Sequence, residues 1–292
     1  MLHVHAGRDR LSVVILAGTL AACGGGGDAG GDAAGGAPAG GDAAAAPAVV
    51  ENAGTITGMI NFAGEPPAAT AIDMAEEPTC AAKHATPPMT QEVVASGGKL
   101  ANVFIYIKEG LTGTFPASGA GPEINQDGCE YIPHVIGVQT GQAITIRNSD
   151  GLLHNIKAQP ANNRPFNISQ PTDMTSNQTF STAEIMVPVQ CDVHGWMSMY
   201  IGVTDHPYFA VSAADGSFTI ANVPPGTYTV EAWHEKYGAM TQQVTVDPNG
   251  ASTVTFEYSA SMAGADVPLG QPVDPHGSHA GDAHAHIAAG GE

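Results

Sequence analysis

The sequence predicts an all-β protein built as packed sheets, and three observations carry the prediction. Short runs rich in β-branched and aromatic residues recur through the middle of the chain. Gly or Pro punctuates nearly every gap between them, as at Gly137, Gly141, Gly151, Gly216 and Gly226. Between Val49 and Met262 no stretch holds a 3.6-residue apolar period over three turns. The 292 residues, with 37 Gly and 21 Pro, would allow about two domains if all of them folded. The ends are a different kind of sequence, so the folded part is smaller.

Residues 1–22 open with Arg8 and Arg10, followed by an apolar run from Leu11 to Ala22. Twelve apolar residues fall short of the ~20 that span a bilayer, so the segment reads as an export signal. Leu20-Ala21-Ala22-Cys23 resembles the lipobox of bacterial lipoproteins. That resemblance implies a lipid on Cys23, which becomes the mature N-terminus. Gly24 at the next position implies the periplasmic face of the outer membrane, or the cell surface. Residues 23–49 are almost wholly Gly, Ala, Asp and Pro and are expected to be a flexible tether. Residues 261–292 form a similar tail carrying His276, His279, His284 and His286, a composition that either stays solvated or binds metal loosely.

Within the middle, residues 54–62 (GTITGMINF) read as an opening strand and 75–90 as a Pro-rich stretch. Lys99–Lys108 sets Val103, Ile105 and Ile107 against Asn102, Phe104 and Tyr106. Gln142–Asn148, Glu184–Val189 and Tyr200–Val203 are short strand runs. Thr227–Trp233 and Ser252–Tyr258 alternate cleanly.

Cysteines are the sharpest chemical clue. With Cys23 at the lipobox, Cys80, Cys129 and Cys191 remain, and an odd cysteine in an exported chain is reactive or a ligand. Cys191-Asp-Val-His194-Gly-Trp196-Met197-Ser-Met199 places a thiolate, an imidazole and two thioethers within nine residues. Such soft and borderline donors suit a copper ion cycling between Cu(I) and Cu(II). His154, in Asn148-Ser-Asp-Gly-Leu-Leu-His154-Asn155, supplies the second imidazole that a trigonal His₂Cys plane requires. Zinc fits less well, because a single cysteine with methionines suits copper better.

With these residues in view, 135–203 resembles a cupredoxin, similar to plastocyanin and amicyanin, and the Cys-x₂-His-x₂-Met loop is most like amicyanin. The resemblance implies one type 1 copper with His154, Cys191 and His194 as equatorial ligands and Met197 axial. Met199 competes through the longer plastocyanin-like spacing. Asn155 would tie the two ligand loops together by hydrogen bonds. His194, on the loop that reaches the surface in cupredoxins, would be the electron exit, with Trp196 on the docking rim. Gly195 departs from the family pattern, which has proline there.

Cys80 and Cys129 are expected to pair in an oxidising compartment, pinning the Pro-rich stretch to the copper domain. From residue 213, Asp-Gly-x-Phe and Pro-Pro-Gly-x-Tyr resemble the turns of the transthyretin-like, carboxypeptidase regulatory-like family, a small β-sandwich. The stretch is thin for a closed sandwich, so 50–94 is expected to complete it. The expected domains are therefore 50–94 with 205–260, and a copper domain over 95–204 inserted between them. His134, His206 and His234 read as hydrogen-bonded junction residues; a second metal site of His206, His234 and Glu235 is the sharper alternative.

A four-ligand site leaves no position for substrate, so the expectation is one-electron transfer rather than catalysis. Net charge is −19, which excludes a nucleic-acid binder and suits either solubility or docking of a basic redox partner such as a c-type cytochrome. A copper carrier or store and a structural or carbohydrate-contacting surface protein are the alternatives.

Overall fold

The computed structural model describes residues 50–263. The export segment, Cys23, the tether and the tail histidines lie outside the described residues. In chain order the strands are β1 (Gly54–Ala63), β2 (Ala95–Ser96), β3 (Lys99–Leu100), β4 (Phe104–Glu109), β5 (Glu123–Asp127) and β6 (Glu130–Ile132). Then come β7 (Val135–Gln139), β8 (Ala143–Asn148), β9 (His154–Ala158), β10 (Phe166–Gln170), β11 (Thr175–Thr179) and β12 (Glu184–Gln190). The last are β13 (Ser198–Thr204), β14 (Phe209–Val211), β15 (Ser217–Val223), β16 (Gly226–His234), β17 (Gly238–Val246) and β18 (Ala251–Ser259). The one α-helix among the described residues, α1 (Pro78–Ala81), is a single turn. The protein is all-β.

Four sheets make two sandwiches. In the central one, β10-β9-β12-β13-β7 faces β11-β8-β5-β6. Ile124, Ile144, Ile146, Ile156, Val187, Val189 and Ile201 fill its core. In the flanking one, β15-β1-β3-β2, with β18 parallel to β1, faces β14-β4-β16-β17. Its core is Ile56, Ile60, Ile105, Phe218, Val230, Phe256 and Tyr258 with their neighbours.

Strand β1 runs between β15 and β18, so the flanking sandwich takes strands from both sides of the central one in sequence. The boundary expected at residue 95 is corrected. Strands β2, β3 and β4 pair with β1, β14 and β16, not with the central sheets. The physical reason lies in β4, which is buried on both faces. Val103, Ile105 and Ile107 enter the flanking core, while Phe104 and Tyr106 turn towards the central sandwich. Alternation alone specifies faces, not the sheet that receives them.

The sandwiches meet through Phe104, Tyr106 and Trp233 against Val135, Met186 and Tyr200. Gly137 and Gly202 lie opposite one another on β7 and β13. A Cβ at Gly202 would sit 2.4 Å from the Phe104 ring, and one at Gly137 2.3 Å from Phe209. Two glycines thus form the recess that seats two phenylalanines.

Candidate metal centre

The site occupies one end of the central core, where three segments converge. Strand β8 ends at Asn148, whose carboxamide shapes the loop that follows. It accepts from the Asp150 N–H at 2.9 Å and donates to the carbonyls of Leu152 (2.8 Å) and Gln170 (2.9 Å). This loop delivers His154 at the first position of β9. The second segment, between β12 and β13, folds on itself: Cys191 N–H donates to Met197 O at 3.1 Å and Met197 N–H to His194 O at 2.9 Å. The third is the β5–β6 hairpin, whose two-residue turn Gly128-Cys129 has φ of 65° and 58°. That pair of positive angles marks a type I′ turn, unusual for cysteine.

His154, Cys191 and His194 are all buried, and their donor atoms lie within 4.8 Å of one another. The Nδ1 atoms of His154 and His194 face each other at 2.9 Å, and Cys191 Sγ lies 3.9 Å from His194 Nδ1. One thiol and two converging imidazoles, with Met197 and Met199 buried in the same cluster, suit a soft or borderline transition metal. Met197 sits on the folded ligand loop, whereas Met199 lies in β13 opposite Val189.

Asn155 joins the two ligand loops. Its Oδ1 accepts from the Asp192 N–H at 2.7 Å and lies 3.2 Å from Cys191 Sγ. Tyr131 donates from its hydroxyl to the Asn155 carbonyl and stands beside the thiol. Burial and the neighbouring Cys191 push its phenol well above the usual range.

Asp150 escaped the reading of the sequence and is the electrostatic hub. Its carboxylate, fully buried, accepts from His154 Nε2 (2.7 Å), Lys83 Nζ (2.9 Å) and the backbone N–H groups of Gly128 and Cys129 (2.7 Å each). Burial works against its charge, but the bonds from His154, Lys83 and the two amides win and hold its pKa well below the ordinary carboxylate range. Against its own burial, His154 is raised by Asp150 and Cys191. Burial opposes ionisation of Cys191 too, yet His154 and the backbone N–H groups of Asn155 and His194 draw its pKa down, favouring thiolate. His194 is lowered by burial and by His154. The i, i+4 spacing of Asp150 and His154 was the one available signal, and in a loop such spacing carries no geometry.

Cys80 and Cys129 form a disulfide, Cα to Cα 5.6 Å. Its sulfurs lie within 4.8 Å of a His194 ring nitrogen, and Trp196 Nε1 donates to Cys129 O at 3.0 Å. His194 is only 2% exposed, which overturns the expectation that its ring edge reaches the surface. The Pro-rich connection between β1 and β2 is folded over it. Trp196 is half-buried, its ring centroid 5.3 Å from that of His194.

His134, His206 and His234 are dispersed. His134 bonds Ser198 O and Glu235, and His206 bonds Ile107 O at 2.8 Å. His234 accepts from the Lys236 N–H at 3.1 Å. Among the described residues no metal-type group unites His206, His234 and Glu235.

The carboxypeptidase regulatory-like domain family matches residues 200–259, which span β13 to β18. No curated protein matches the chain. Among solved structures it is similar to the copper-containing nitrite reductase of Thermus scotoductus SA-01, at 16% identity and TM-score 0.28, covering 32% of this chain and 24% of that one. The chain thus spans about a quarter of that enzyme's length. It is similar to a purple cupredoxin of Nitrosopumilus maritimus, at 22% identity and TM-score 0.25, over 28% of this chain and 99% of that one. An oxidised proline-to-glycine mutant of amicyanin gives 18% identity and TM-score 0.27, over 34% and 98%.

Proposed function

We propose that the protein is a type 1 copper protein that carries single electrons between redox partners at the membrane of an exporting cell. The observation that supports this best is the convergence of Cys191, His154 and His194 in a buried cluster backed by a carboxylate. Bound copper would supply a one-electron couple there. His154, Cys191 and His194 would hold it. Met197 is the better candidate for a fourth ligand because its backbone closes the ligand loop against both Cys191 and His194, while Met199 lies in β13 opposite Val189.

The chain's own groups prepare the site. Asp150 fixes the His154 tautomer with its proton on Nε2, leaving Nδ1 free for metal, and makes the ring more basic. Asn155 holds the two ligand loops in register, and the backbone N–H of His194, 3.4 Å from Cys191 Sγ, stabilises thiolate charge. Trp196, half-exposed and against His194, is the route by which an electron leaves. Net charge of −19 favours a basic partner, such as a c-type cytochrome, and a lipid on Cys23 would hold the protein at the membrane.

Visible absorption of the oxidised, copper-loaded protein tests the reading. An intense band near roughly 600 nm, lost in Cys191→Ser, is expected. Copper bound without such a band would favour a second reading, a copper carrier or store. The 2% exposure of His194 is the observation that speaks for it, since a sealed ring suits retention.

A further inference from the structure

We propose that residues 64–94 are a cap latched over the metal site by the Cys80–Cys129 disulfide, so that metal enters while these cysteines are reduced and the closed bridge then holds it against outside ligands. This rests on the copper reading of the site.

The cap is poorly held by itself. It contains one helical turn and a single β-bridge, Ala71 to Met89, with hydrogen bonds from Ile72 N–H to Pro88 O and Thr90 N–H to Thr70 O. Its C-terminal end is tied to the flanking sandwich, where Gln91 O accepts from Asn102, Glu92 pairs with Lys236 and Val93 packs on that core, but what fixes residues 72–84 points at the site. Met74 and Cys80 are buried in the same cluster as Cys191 and Met197, and Ile72 packs against it. Lys83 pairs with Asp150, and His84 Nε2 lies 2.7 Å from Gly128 O. The bridge itself ends on Cys129, whose backbone is gripped by Asp150 and Trp196. His194 Nε2, buried without a hydrogen-bond partner, lies on the ring that the sulfurs approach. A connection this long with little internal structure opens readily unless something ties it down.

Order follows from access. With the bridge closed, both sulfurs are fully buried and His194 is sealed, so no metal donor reaches the ring and a thiol reduces the bridge only slowly, as the cap opens. Closure is a two-electron oxidation: the thiols of Cys80 and Cys129 give up two protons and two electrons to a disulfide donor. The Sγ–Sγ bond forms as the donor's disulfide becomes a dithiol.

The test compares wild type with the Cys80→Ala/Cys129→Ala double variant. Acylation of His194 by diethyl pyrocarbonate in the metal-free protein, followed by mass spectrometry, should run at least about tenfold faster in the variant. Loss of bound copper to a strong chelator should accelerate comparably. Equal labelling and equal release would overturn the proposal. A wild-type protein that takes no copper would sink the copper reading, while the labelling still decides the cap. If the variant does not fold, the same labelling of wild type before and after prolonged dithiothreitol treatment, under conditions in which the mass shows the bridge reduced, replaces it, and an unchanged rate in the reduced protein overturns the latch.

Discussion

In the flanking sandwich Ile56, Ile60, Phe218, Val230, Phe256 and Tyr258 fill the interior with side chains that are almost wholly apolar. The central sandwich is equally apolar over most of its core, but one end of it buries Asn148, Asp150, His154, Asn155, Gln170 and His194 together. Polar groups withdrawn from water cost free energy unless each is partnered, and a chain selected for stability alone would fill that end with hydrocarbon. The contrast teaches where function sits. The flanking sandwich is held mainly by hydrocarbon burial, with buried polar side chains such as Ser212, Glu231 and His234 scattered through it, whereas the central one gathers its polar groups at one end, around two imidazoles and a thiol.

The sharpest way to break the contrast is to damage the hydrocarbon side. Phe256, fully buried and opposite Ile60 in the parallel pair of β1 and β18, has no contact with the site. Phe256→Ala should cost about 3–5 kcal/mol of folding stability, read from urea denaturation. Protein that remains folded should bind metal with unchanged affinity. A weakened affinity would mean that the sandwiches are not energetically separate.

The complementary change is Asp150→Asn. It keeps the shape but removes the charge that faces His154 and Lys83. A metal affinity about 10–100-fold lower is expected from competition with a chelator, equivalent to about 1.4–2.8 kcal/mol. Loss of stability without loss of affinity would make Asp150 a purely structural residue.

These two residues also mark what could be read from the sequence. Phe256 announces its role through alternation with Val254 and Tyr258, and the strands over 143–148, 184–190, 226–234 and 251–259 are similarly legible. Cys191-x₂-His194-x₂-Met197 is local, so spacing carried it. The Cys80–Cys129 pairing that pins the Pro-rich stretch to the central domain was legible in the cysteine count. Asp150 and Tyr131 were not, because their meaning depends on segments distant in sequence that meet only in the fold. Asp150 draws its partners from residues 83, 128, 129 and 154. The sealed His194 was missed for the same reason: nothing in the ligand loop reveals that residues 72–84 lie over it.

A buried imidazole outside the site sharpens the comparison by pH. His234 stacks on Tyr237 with ring centroids 4.8 Å apart, and its Nε2 has no partner. Burial lowers its pKa to about 3, with His134 and Lys236 adding to the effect. The unfolded imidazole titrates near 6.5, so between about 6.5 and 3 the unfolded chain binds a proton that the folded chain refuses. Stability must therefore fall as pH drops through that window, by as much as about 1.4 kcal/mol per pH unit. His234→Phe should flatten this part of the profile, gaining about 1–2 kcal/mol over wild type at pH 5 relative to pH 8. An unchanged slope would show that His234 already finds a proton acceptor.

The smallest effect probes the ligand loop. A Cβ built at Gly195 meets no atom within 4 Å, and the residue has none of the positive φ that would exclude a side chain. Glycine there confers freedom on the unfolded loop rather than fitting the folded one. Gly195→Ala should therefore stabilise the protein by about 0.4–1 kcal/mol, seen as a higher urea midpoint at unchanged slope. Because the backbones of Cys191, His194 and Met197 already close the loop by hydrogen bonds, the metal affinity should not move. A destabilised variant would mean that the loop needs conformations that alanine resists, and that the site is less preorganised than its hydrogen bonds indicate.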